Sequence, residues 1–151
     1  MSTLFKVFDV SGSALSAQSI RLNTIASNMA NAEVASNSAE TAYRGRHPVF
    51  GAMIGSLDKP PTYANIQALN QDSATSFVKV LGIIERQAPP RMEYSPNHPL
   101  ANEEGYIFRS NVNVVEEMAD MISASRSYQN NVEVMNTTKQ LLQRTLQMGQ
   151  T

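Results

Sequence analysis

The sequence contains no cysteine and no tryptophan. Without cysteine there is no disulfide, no thiolate nucleophile and no sulfur-ligated metal. Neither sign of charge dominates: 12 Lys and Arg stand against 13 Asp and Glu. The chain therefore lacks the excess of positive charge with which proteins hold nucleic acid or an anionic membrane. No run of residues approaches the roughly 18 apolar positions that a bilayer-spanning helix needs. The N-terminus, MSTLFKVFDVSGSALSAQ, is a poor cleavable signal, since it carries one Lys and its apolar stretch is cut by Asp9. Glycine and proline are both missing between Tyr106 and Met148, which leaves that stretch without the usual helix breakers.

The residues that are present form two helical patterns. In the first, Phe8, Leu15, Leu22 and Met29 recur at every seventh position, with Leu4 and Ile25 in the intermediate slots. Ala14, Ala17, Ala26 and Ala30, with Ser11, Ser13, Ser16 and Ser19, keep much of that helix small, so that another helix can approach closely. Gly12 weakens its early turns by about 1 kcal/mol relative to Ala. In the second pattern, Val114, Met121, Tyr128, Met135 and Leu142 repeat every seven residues. Met118, Val132 and Leu146 form a second row, interrupted at Ser125 and Lys139. The spacing predicts one helix from Asn113 to Met148, with Asn111 or Asn113 as N-cap and Gly149 as C-cap. Glu116, Glu117 and Asp120 near its start and Lys139 and Arg144 near its end suit the helix dipole.

Such a helix is about 54 Å long. A compact globule of this chain length is only about 40 Å across. The expectation is a mainly α, elongated molecule whose helix seams are completed by a partner. By composition the chain divides into residues 1–32, an N-terminal helix; 33–109, an extended, β-containing middle; and 110–151, a C-terminal helix.

All seven prolines fall in the middle. AEVASNSAETA reads as a loop, and Tyr43 to Met53 as a strand broken by Pro48. The segment from Leu57 to Ala74 is polar and rich in turn residues, whereas Ser76 to Glu85, SFVKVLGIIE, is the best strand candidate. APPRMEYSPNHPLANEEGY reads as extended and punctuated by turns. The middle amounts to a small, irregular β unit.

Catalytic chemistry finds little support. His47 and His98 each precede a proline and have no second ligand at metal spacing, so exposed or turn-packing imidazole is the expectation. Ser11 and Ser13 beside Gly12 lack the preceding strand of a nucleophile turn. Glu103, Glu104, Glu116, Glu117 and Asp120 are read as capping and solvation rather than as an acid–base pair. No phosphate loop, dinucleotide fingerprint or calcium loop is present, and no cofactor or metal is expected. Met118, Met121 and Met135 read as core fillers, a core that can lie between subunits. Asn23, Asn28 and Asn31 either form a hydrogen-bond ladder between helices or are surface polarity; the sequence leaves both open.

The residues from Ser11 to Glu33, SGSALSAQSIRLNTIASNMANAE, resemble the N-terminal signature of the flagellar basal-body rod proteins, including its Asn-x-x-Asn-Ala ending. NVNVVEEMADMISASRSYQNNVEVMNTTKQLLQRTL resembles the family's C-terminal signature, and YRGRHPVF and NHPLANEEGYI resemble the middle of its short proximal-rod members. Two features depart from the usual pattern: Ser110 stands where a proline commonly precedes the last helix, and Glu33 and Val34 stand where Asp and Thr are common. The resemblance implies a structural subunit of the torque-transmitting rod, exported unfolded through the flagellar secretion apparatus into the periplasmic space. Its terminal helices would form an antiparallel, coiled-coil-like pair lining a helical tube.

Its partners would be further copies, other rod subunits and the ring components at the base of the rod, with no nucleic acid and no membrane insertion. The expected interface residues are Phe8, Leu15, Leu22, Ile25, Met29, Met118, Met121, Tyr128, Val132, Met135, Leu142 and Leu146. Another axial flagellar component would carry a larger middle, and a soluble helical adaptor would form a stable dimer in solution.

Overall fold

A computed structural model describes residues 2–54 and 76–149 of the chain. Among the described residues two helices enclose five strands in sequence. Helix α1 spans Ser2–Ala30 and α2 spans Val114–Met148. The strands are β1 (Ala35–Ser36), β2 (Arg46–Ile54), β3 (Ser76–Glu85), β4 (Arg91–Tyr94) and β5 (Tyr106–Arg109). The mainly α expectation is therefore generous, because several strands, antiparallel where their register is defined, fill the middle. Leu57 to Ala74 lies outside the described residues.

Both helix ends are set by local chemistry. Asn113 caps α2: its Oδ1 accepts from Val115 N–H at 3.1 Å, and its carbonyl accepts the first helical bond from Glu117 N–H at 3.0 Å. Asn31 closes α1, its backbone N–H donating to Ser27 O and its Nδ2 donating to the same carbonyl. Gly149 follows α2 as expected, but it still donates to Thr145 O and does not take the left-handed conformation of a glycine cap.

The strands form two sheets. β1, β5 and β4 lie in that order, antiparallel, with Ala35 opposite Arg109 and Tyr94 opposite Tyr106. β2 pairs with β3. Pro48 does not break β2, contrary to the expectation from sequence. A two-stranded sheet has a free edge on each strand, where a residue without an N–H costs no ladder bond. β4 and β5 were not anticipated as separate strands; they are only four residues each and are bounded by Pro90, Pro96 and Gly105. Gly105 has a φ of 82°, and a Cβ there would come within 2.9 Å of the Tyr94 ring, so the turn requires glycine.

The chain divides into two compact units. In the unit made of residues 20–49 and 82–124, the core is Ile25, Ala32, Ala42, Ile107, Val112 and Ala124, with Ile107 only 1% exposed. In the unit made of residues 1–19, 50–81 and 125–151, the buried side chains among the described residues are Ser11, Ala17, Phe77 and Thr138. Small and polar residues recur in both. Their hydroxyls bond locally: Thr24 and Thr138 each donate to the carbonyl four residues earlier at 2.8 Å.

On α2, part of the apolar seam expected to be completed by a partner lies open. Met118, Tyr128 and Leu146 are exposed, and the fully buried positions are Glu117, Ala124 and Thr138, with Asn131 half-buried in the same seven-residue row. The line closed within the protomer runs one residue before the row of Met118, Val132 and Leu146. Small or polar side chains occupy the most enclosed line, and Met121, Met135 and Leu142 flank it half-buried.

Candidate functional site

The most constrained group of side chains lies in the unit of residues 20–49 and 82–124. Asn28, in the last turn of α1, is fully buried. Its Nδ2 donates to Arg46 O at 2.8 Å and to Glu117 Oε1 at 3.0 Å. Its Oδ1 accepts from Arg46 N–H at 2.9 Å and from the Tyr43 hydroxyl at 3.0 Å. An amide has two donors and two acceptor sites, and all four are used. One side chain thus joins the end of α1, the start of β2 and the first turn of α2. Arg21 on α1 pairs with Asp120 on α2 at 2.8 Å. Because 28 meets 117 and 21 meets 120, the two helical segments run antiparallel in this unit.

Two further residues complete the joint. Asn111 accepts from Gly45 N–H at 2.8 Å and donates to Ala88 O at 2.7 Å and Arg86 O at 3.3 Å. Ser110, fully buried, accepts from Val112 N–H at 3.1 Å through Oγ, and its carbonyl accepts from Arg91 Nε. The hydroxyl thereby fixes the approach to α2 at the position where the related signature commonly has proline.

The joint holds charges without the features of catalysis. Glu117 is 2% exposed, and its Oε2 has no hydrogen-bond partner among the described residues. Arg109 bridges Glu33 and Glu93, and the hydrogen bond to Glu93 is the main cause of its raised pKa. An open depression of about 430 Å³ beside the start of α2 is lined by Glu33, Arg91, Asn111 and Asn113. It contains no nucleophile beside a base. Among the described residues no three His, Asp or Glu gather as metal ligands, and no helix is long and apolar enough to cross a membrane. His98 Nδ1 accepts from Leu100 N–H in its turn.

Sequence reasoning left Asn28 open and missed Glu117 as a buried group. A signal was available: Glu117 stands seven residues before Ala124 and fourteen before Asn131, on one face of α2. Asn23 is exposed and Asn31 bonds its own helix, so the three asparagines do not form a ladder.

The expected interface residues divide by exposure. Ile25 is 4% exposed and belongs to the protomer's own core, whereas Met118 and Leu146 are 50% and 56% exposed. Phe8, Leu15, Leu22, Met29, Met121, Val132, Met135 and Leu142 are half-buried, and Tyr128 is 37% exposed.

Comparison with known proteins matches these same helical segments. Residues 8–35 match the family model described as flagella basal body rod protein, and residues 103–148 match the C-terminal model of the flagellar basal body rod FlgEFG proteins. The flagellar basal-body rod protein FlgC of Salmonella typhimurium is 44% identical over 147 residues, covering 97% of this chain and 98% of its own. FlgC of Yersinia enterocolitica is 45% identical, covering 98% and 99%. FlgC of Bacillus subtilis is 35% identical, covering 97% and 99%. The chain belongs to the flagellar basal-body rod protein family. As a rod protein it is a structural subunit of the basal body and not an enzyme. The joint around Asn28 is then a structural device of a rod protein: the Asn-x-x-Asn-Ala ending of α1, within the first matched segment, supplies its central amide.

Proposed function

We propose that this rod protein is a proximal-rod subunit that assembles helically through its two terminal helices to build the torque-transmitting shaft. The observation that carries the reading is the exposure of large apolar side chains on α2, whose opposite side is closed by the protomer's own packing. Val115, Met118 and Ile122 are 75%, 50% and 55% exposed; Leu141, Leu146 and Met148 are 47%, 56% and 72% exposed. Leaving so many such groups in water on one helix is unfavourable, at about 25 cal/mol for each Å² that a neighbour could cover.

In this reading α1 and α2 form an elongated, coiled-coil-like pair in the inner wall, and the middle is an adjoining β unit. The subunit-facing residues are Phe8, Leu15, Leu22, Met29, Met118, Met121, Tyr128, Val132, Met135, Leu142 and Leu146, with Ile25 supporting them from inside. Contacts of this kind join different faces of successive copies and do not close, which builds a tube. The partners are further copies, other rod subunits and the base of the rod, in the periplasmic space. The chain passes the flagellar export apparatus unfolded and orders its terminal helices on docking.

Met118→Asp and Leu146→Asp test this reading, because both side chains are exposed and their loss should spare the protomer. The expected result is purified protein with an unchanged helical circular-dichroism signal, and cells that assemble no functional rod and do not swim. Wild-type swimming by both variants would overturn the proposal.

A further inference from the structure

The three-stranded sheet has two unlike faces. Ile107, 1% exposed, shares its inward face with Arg91, Glu93 and Arg109. The outward face carries Met92 and Tyr94, 62% and 65% exposed, opposite Phe108 and Tyr106. The rings of Tyr94 and Tyr106 meet edge to face at 5.2 Å. Tyrosine and methionine in this setting are typical of protein interfaces.

The backbone of β4 says more about what covers this face. Ser95 N–H donates to Gly105 O at 2.9 Å, which makes 95 and 105 a hydrogen-bonded pair in the antiparallel register. The alternation of such pairs makes 93 with 107 and 91 with 109 hydrogen-bonded, and 94 with 106 and 92 with 108 not. Tyr106 agrees: its N–H and C=O turn away from β4 and bond Asn102. The N–H and C=O groups of Met92 and Tyr94 therefore point outward along the free edge of β4, and no described backbone group meets them. Arg91–Tyr94 contains no proline, lysine or bulge to blunt that edge.

We infer that the outer edge of β4 accepts an extended strand from a second copy of this chain, and that this strand is β3. An edge of this kind is satisfied only by extended backbone. Among the described residues β3 has β2 as its sole strand neighbour, and although Ser13 Oγ takes the Val78 N–H at 3.3 Å, no described side chain or further strand takes a backbone N–H between Leu81 and Ile84. It also carries Leu81, Ile83 and Ile84 at 63%, 54% and 57% exposure. Leu81 and Ile83 lie on one face of the strand and extend the apolar surface of Met92 and Tyr94. Joining β4 of one copy to β3 of the next is a heterologous contact, which propagates; β4 against β4 would be two-fold and would close as a dimer. The choice of β3 rests on the rod reading given above.

The absence of cysteine makes the test free of background. Full-length Met92→Cys is mixed with full-length Ile83→Cys, and separately with Leu81→Cys, under mild oxidation, and disulfide-linked dimers are read on a non-reducing gel. A disulfide needs Cα atoms about 5.5 Å apart, a spacing that directly opposed cross-strand neighbours provide. At least one mixture is expected to give about tenfold more cross-linked dimer than either variant alone. Adding Tyr94→Pro, which removes an outward N–H and no bond to β5, should abolish the product, whereas Tyr94→Ala should retain part of it. Predominant self-cross-linking of Met92→Cys, no product in either mixture, or a product indifferent to Tyr94→Pro in a variant of unchanged circular dichroism would each overturn the inference. Failure here with loss of swimming in Met118→Asp would leave the rod reading standing; cross-linking with normal swimming would do the reverse.

Discussion

The two sides of the first turns of α2 are built in opposite ways. The inner side holds Glu117 at 2% exposure against Asn28, which is fully buried. The outer side holds Val115, Met118 and Ile122, each at least half exposed. A protein folding for itself alone puts apolar groups inside and charge outside. Here a polar knot fixes geometry within the protomer, and apolar surface is left outside. The difference teaches that local stability and assembly draw on different residues of one helix, so the two can be separated by substitution.

The largest effect is expected from Asn28→Ala. It leaves the Arg46 backbone groups, the Tyr43 hydroxyl and Glu117 without their partner in a buried place. The loss should be about 3 kcal/mol, seen as a lower urea midpoint. A change below about 1 kcal/mol would mean that water or a rearranged side chain replaces the amide. Glu117→Gln comes next. The amide oxygen still accepts from Asn28 Nδ2, while a buried charge with one neutral partner disappears. Stability should rise by up to about 1 kcal/mol in the same titration, and a fall would reveal a partner for Oε2. The smallest effect belongs to the outer side: Met118→Ser should change protomer stability by no more than about 0.5 kcal/mol. A larger loss would place Met118 in the protomer's own packing and remove the contrast.

Part of this was legible beforehand. The absence of Gly and Pro from Tyr106 to Met148 gave α2 to within one residue, with Asn113 as one of its two candidate caps. β3 coincides with SFVKVLGIIE because four β-branched residues in ten leave little ambiguity. β4 and β5 were not legible, since strands of four residues carry too short a pattern and owe their existence to each other. The line of α2 closed within the protomer was not legible for a related reason: its side chains are small or polar, and apolar spacing does not mark it.

The sequence by itself determined the two long helices, the strand at Ser76–Glu85 and the absence of thiol chemistry. Each depends on near neighbours along the chain, through helical hydrogen bonds, side-chain period and residue type. Only the tertiary structure decided that Asn28 and Glu117, 89 positions apart, share a buried bond, and that Met118 and Tyr94 face outward. Which apolar groups are covered depends on what the rest of the chain brings against them, and no local pattern carries that information.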